Sequence, residues 1–183
     1  MTSSKKERAK SVIICGVMVL YIVMLLFLML FSFNGAVRVE LRGINLVPFR
    51  SIIDFLPYLF SGLGSLPFVN LLGNVVMFMP LGFYAITLRK DKRILTNLLC
   101  VFLFSLSAEI IQYVFARGIS DIDDILLNCL GGLLGIFIYK VLSLLLKNEA
   151  KVRTTIAFVS AIALPLILAL LWGSARTYIS YIS

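Results

Sequence analysis

The chain has 183 residues, 61% of them hydrophobic and 14% charged, with 17 Lys and Arg against 9 Asp and Glu and a mean hydropathy of +1.04. A soluble domain carries about a quarter charged residues, so this composition excludes one and requires lipid as the solvent. Histidine is absent, which excludes Ser-His-Asp hydrolysis and histidine-dependent phosphatase chemistry, while Cys15, Cys100 and Cys129 stand in apolar runs without the spacing of a zinc site or a disulfide framework.

Five apolar stretches reach or approach the roughly 20 helical residues that cross a hydrocarbon core. They lie at about 11–33, 68–88, 94–116, 122–146 and 155–172. The expected fold is all-α, a polytopic transmembrane bundle of five spans, with residues 1–183 forming one membrane domain. The first stretch follows Lys5, Lys6, Arg8 and Lys10 as a signal peptide would. Ser11 to Phe33 is nevertheless longer than a signal core and lacks a small-residue cleavage site, so it is expected to stay as an anchor.

Between the first two spans, residues 34–67 are too polar to cross. Ile44, Val47, Ile52, Ile53, Leu56, Leu59 and Phe60 recur at roughly helical spacing, with Arg50 and Asp54 four apart on another face. This predicts an outer interfacial or re-entrant helix; the alternative is a structured loop capping the bundle. The fifth span is short and interrupted by Pro165.

Twelve of the 17 basic residues fall in the N-terminus, the Arg89 to Arg93 turn and the Lys140 to Arg153 connection. The opposite side holds Arg38, Arg42, Arg50, Arg117 and Arg176, accompanied by Glu40, Asp54, Asp121, Asp123 and Asp124. The positive-inside rule then gives a multi-pass cell-membrane protein with a cytoplasmic N-terminus and an extracellular C-terminus. Basic charge distributed this way between spans serves orientation, so no nucleic-acid partner is expected.

Polar residues inside a bilayer are costly and need a reason. With a rise of about 1.5 Å per residue, Asn70 and Asn74 fall in the outer third of the second span, one turn apart. Glu109 and Gln112, spaced i, i+3, fall in the outer third of the third span. Asp121, Asp123 and Asp124 open the fourth at the outer surface, and Asn128 lies one turn deeper. Three helices therefore deliver polar side chains to one level, which predicts an outward-opening polar cleft lined by Asn70, Asn74, Glu109, Gln112, Arg117, Asp121, Asp123, Asp124 and Asn128. Glu109 is its deepest ionisable group and the best candidate for a catalytic role. Burial there disfavours its charged form unless Arg117 or a bound cation compensates.

Each of these features has a structural alternative. The amides suit interhelical hydrogen bonding, and Gly131-x-x-x-Gly135 suits close helix packing. Ser120 with Asp123 matches a capping box for the fourth span, where first-turn acids also favour the helix dipole. Glu109 could form a structural salt bridge to Arg117. Asn70-x-x-Gly73 and Asn128-x-x-Gly131 stand at matching depth on helices expected to run the same way, which leaves an internal repeat open.

The run Asn70-Leu-Leu-Gly-Asn74-Val-Val-Met-Phe78-Met-Pro80-Leu-Gly82 is followed by Glu109-Ile-Ile-Gln112, Arg117, Asp121-Ile-Asp123-Asp124 and Asn128-Cys-Leu-Gly131-Gly132-Leu-Leu-Gly135. Together with Asn45-Leu-Val-Pro48-Phe49, these ordered motifs resemble the VanZ-like family over roughly residues 44–140. The resemblance implies a bacterial cell-membrane protein of a family associated with low-level teicoplanin resistance. It implies that the motif positions are functional and assigns them no reaction.

Three functions are compatible with this reading. The first is binding or handling of a lipid-linked envelope precursor or lipophilic glycopeptide at the outer leaflet, with arginines meeting phosphate and amides meeting sugar or peptide. The second is a membrane enzyme in which Glu109, Asp121, Asp123 and Asp124 hold Mg²⁺ against a lipid diphosphate. The third is a structural or partner-scaffolding protein. Membrane lipid is a partner in all three, and oligomeric state is not legible.

Overall fold

Long apolar runs form helices here because, away from water, each backbone N–H and C=O must be satisfied within its own segment. A computed structural model describes residues 3–31, 43–59, 66–89, 91–115 and 119–182. The elements, in order, are α1 (Ser3–Phe31), β1 (Gly43–Asn45), α2 (Arg50–Leu59), α3 (Leu66–Leu88), α4 (Ile94–Val114), β2 (Ile119–Asp121), α5 (Ile122–Leu146) and α6 (Glu149–Ile182). Four helical segments among the described residues are long and apolar enough to cross a membrane: Lys5–Met29, Leu71–Leu88, Ile94–Val114 and Ile122–Leu146.

Three features depart from the sequence reading. The chain is not purely helical, because β1 and β2 pair in parallel with Asn45 opposite Asp121. Ile44, counted above in a helical pattern, is therefore in a strand, and among the described residues of that pattern the helix covers 50–59. A three-residue strand shows a single alternation, too little for a period to register. Finally, Pro165 does not interrupt α6, which runs through it unbroken. A proline forfeits one backbone hydrogen bond, and the remaining bonds of this 34-residue helix carry the chain through it.

Two units divide the chain, one of residues 39–138 and one of residues 1–38 with 139–183. In the first, α3 and α5 approach at their glycines. A side chain on Gly131 would strike the carbonyl of Val75, one on Gly135 the carbonyl of Met79, and one on Gly82 the backbone of Gly132. Two i, i+4 pairs thus meet in the same order, so α3 and α5 run side by side in one direction. Val101 of α4 closes over Gly132, and Phe78 meets Phe104 edge to face at 6.1 Å.

The turn joining α3 to α4 is tied by polar contacts. Lys92 Nζ donates to the Ile86 carbonyl at 2.7 Å, a cation on orphan acceptors at a helix C-terminus. Asn97, fully buried, donates to the carbonyls of Asp91 and Arg93. The Arg93 guanidinium and amide hold the Asp91 carboxyl well below the usual carboxylate range.

In the second unit α1 packs on α6. Ile14, Val17, Tyr21 and Leu25 form one buried stripe at helical spacing, and Val152, Ile156, Ala157 and Ser160 form the other. Their opposite faces expose Val12, Val19, Val23, Phe158, Val159 and Ile162, as helices facing lipid would. Lys147, at φ 48°, ends α5, and Asn148 caps α6 by accepting from the amides of Ala150 and Lys151.

Candidate functional site

The strand pair sets the site's outer edge. Asn45 Nδ2 donates to both carboxylate oxygens of Asp121, at 3.1 and 3.2 Å, and to Ser51 Oγ at 3.2 Å. The Ser51 hydroxyl donates to Asp121 as well. Asp121 also begins α5: its Oδ1 accepts the Asp123 amide at 2.9 Å, the bond of an N-cap residue.

Asp123 acts elsewhere. Its Oδ1 accepts the Phe49 amide at 2.5 Å, and its Oδ2 accepts those of Ser51 at 2.8 Å and Ile52 at 3.2 Å. These are donors at the start of α2, where the helix leaves its first amides without partners. The capping box read from Ser120 and Asp123 is therefore corrected. Asp121 caps α5, and Asp123, 1% exposed, caps α2 from more than 70 residues away. Phe49 lies in the left-handed region at φ 64°, which costs an L-residue about 1–2 kcal/mol, and the short bond to Asp123 holds it there.

Deeper along α4, Glu109 is 2% exposed. Its Oε2 accepts the Asp121 amide at 3.2 Å, and the Ser120 hydroxyl is a second hydrogen-bond partner. On α5, Asp124 accepts from Asn74 Nδ2 of α3 at 2.5 Å. The carboxylates of Glu109, Asp121 and Asp123 are all near enough to repel Asp124. One turn further, Asn128 is fully buried and donates to Ser105 Oγ at 2.9 Å; its Oδ1 is buried without a hydrogen-bond partner among the described residues.

The expected residues thus separate by task. Asn74, Glu109, Asp121, Asp124 and Asn128 come together from three helices and β2. Asp123 belongs to the α2 anchor. Gln112 is half-buried on α4, three residues beyond Glu109. Asn70 lies within α3, but its side chain, like the whole of Arg117, Arg38 and Arg42, lies outside the described residues. Sequence reasoning missed Ser51 and Ser105 and gave Asn45 only as part of a motif. Ser105 had a usable signal, standing four residues before Glu109 on the same helical face.

The chemistry available is that of carboxylates and amides. Among the described residues no group of three or more acidic or cysteine side chains is arranged to hold a metal ion. Asp123 is committed to backbone amides, and Asp121 to Asn45, Ser51 and its own cap. Glu109 and Asp124 remain as the pair able to exchange a proton or accept hydrogen bonds from hydroxyl or amide groups of a ligand.

Residues 18–147 match the family model described as VanZ/LLP1. The chain is 32% identical over 157 residues to Protein VanZ from Enterococcus faecium, covering 84% of this chain and 89% of that protein. No solved structure gives a significant match.

Proposed function

The chain belongs to the VanZ/LLP1 family, and from that membership we propose that it contributes to glycopeptide resistance of the teicoplanin type as a multi-pass protein of the bacterial cell membrane. In this reading it binds a lipid-linked envelope precursor or a lipophilic glycopeptide at the outer leaflet. The observation that carries the reading is the placing of two carboxylates from two apolar helices beside Asp121 and Asn74: Glu109 accepts the Asp121 amide and Asp124 accepts from Asn74. Such a cluster is expensive in a membrane unless used. Carboxylates and amides match the hydroxyls and amides of sugars and peptides.

The proposed topology has five spans, with α6 as the fifth, an inner N-terminus and an outer C-terminus, as the charge distribution favours. The segment from β1 into α2 would lie at the outer interface. Ile44, Leu46, Val47, Phe49 and Ile53 are exposed along it and would rest in the headgroup boundary. The test is expression in a susceptible Gram-positive host. Teicoplanin susceptibility should fall relative to an empty vector at equal growth, and unchanged susceptibility with the protein present in the membrane would overturn the reading.

A further inference from the structure

Where α1 meets α6, an open cavity of about 600 Å³ is lined by Glu7, Arg8, Ser11, Val12 and Arg153. We infer that this cavity is a binding site for a phosphate-bearing anion, the headgroup of an anionic phospholipid or free phosphate, held by Arg8 and Arg153.

Arg153 Nη2 donates to Ser11 Oγ at 2.6 Å, which fixes the guanidinium across the helix pair. Its Nε stands 3.7 Å from Glu7 Oε2, a charge contact too long for a hydrogen bond, so that N–H is buried with no acceptor among the described residues. The Arg153 side chain is 35% exposed where it lines the cavity, so an anion there meets a guanidinium that its protein partners leave short of acceptors. Glu7 does not fill that need, because its Oε1 is taken by Lys10 at 2.7 Å, leaving the two nearly balanced. Arg8, exposed at the cavity, has no acidic partner among the described residues. The cavity therefore keeps the positive charge of two guanidiniums, whose planar donor forks suit phosphate oxygens.

Depth points to a lipid headgroup. The cavity lies where both helices change from polar to apolar: Val12 opens the exposed apolar face of α1, and Ile156 to Val159 follow Arg153 on α6. Basic pockets between helices at this level suit anionic headgroups.

The full chain, purified in mild detergent, is titrated with phosphatidylglycerol, phosphatidylcholine or inorganic phosphate, and adducts are counted by native mass spectrometry. Phosphatidylglycerol should be retained in preference to phosphatidylcholine, and Arg8→Gln and Arg153→Gln should each weaken that retention about fivefold. Lys151→Gln, an exposed change on α6 outside this cavity, should leave it intact. Phosphate binding that depends on the same two arginines, without lipid preference, would identify free phosphate as the source. Equal retention of the two lipids without arginine-dependent phosphate binding overturns the proposal. So does retention unchanged in Arg8→Gln, a surface variant that does not depend on how Arg153 is packed.

Discussion

The amide of Ser51 donates to the Asp123 carboxylate at 2.8 Å across a sequence separation of 72. That bond, with those from Phe49 and Ile52, makes the start of α2 depend on a side chain of α5. Removing it with Asp123→Ala should loosen α2. A lost cap costs about 1–2 kcal/mol, which corresponds to exchange roughly five- to thirtyfold faster at the Ser51 and Ile52 amides. Hydrogen exchange in detergent or nanodiscs reads this directly. Asp123→Asn keeps one capping oxygen and should fall between the two, and unchanged exchange in Asp123→Ala would remove the anchor.

The close approach of α3 and α5 predicts a graded response at the glycines. Gly131→Ala and Gly135→Ala place a methyl group against the carbonyls of Val75 and Met79, neither of which can yield without moving α3. Overpacking of this kind costs about 1–3 kcal/mol. Both variants should accumulate poorly in membranes. Gly73→Ala, whose added carbon meets nothing within 4 Å, should accumulate normally. Equal accumulation of all three would contradict the crossing.

The proposed orientation is tested with single cysteines after replacing Cys15, Cys100 and Cys129. Cysteine at Leu46, an exposed position just after β1, should react with an impermeant maleimide in intact cells. Cysteine at Asp91, in the α3–α4 turn, should react only after the membrane is opened. The reverse pattern inverts the topology.

How far the sequence foretold this arrangement depended on the range of each interaction. The helices were legible because lipid burial demands a long apolar run, and α3, α4 and α5 begin and end within two residues of the expected bounds. The convergence of Asn74, Glu109, Asp121, Asp124 and Asn128 was legible because helical rise converts position into depth. The bonds made by Asp123 were not. Its local pattern fitted a cap for its own helix, a task that Asp121 performs, and nothing local in residues 120–124 points to Phe49. Ser51 was invisible for the same reason, since its partner Asp121 lies 70 residues away.

The account rests most heavily on the ionisable character of Glu109. Gln has the same length and its amide oxygen can accept the Asp121 amide as Oε2 now does, so Glu109→Gln removes the charge and little else. The decisive measurement is teicoplanin susceptibility of cells expressing this variant at a membrane level matched to the unchanged protein. The account predicts normal accumulation with loss of most of the resistance. Full resistance at equal expression would show that Glu109 serves only as hydrogen-bonding structure, and failure to accumulate would show that its charge is needed for folding; either result contradicts the functional role assigned to it.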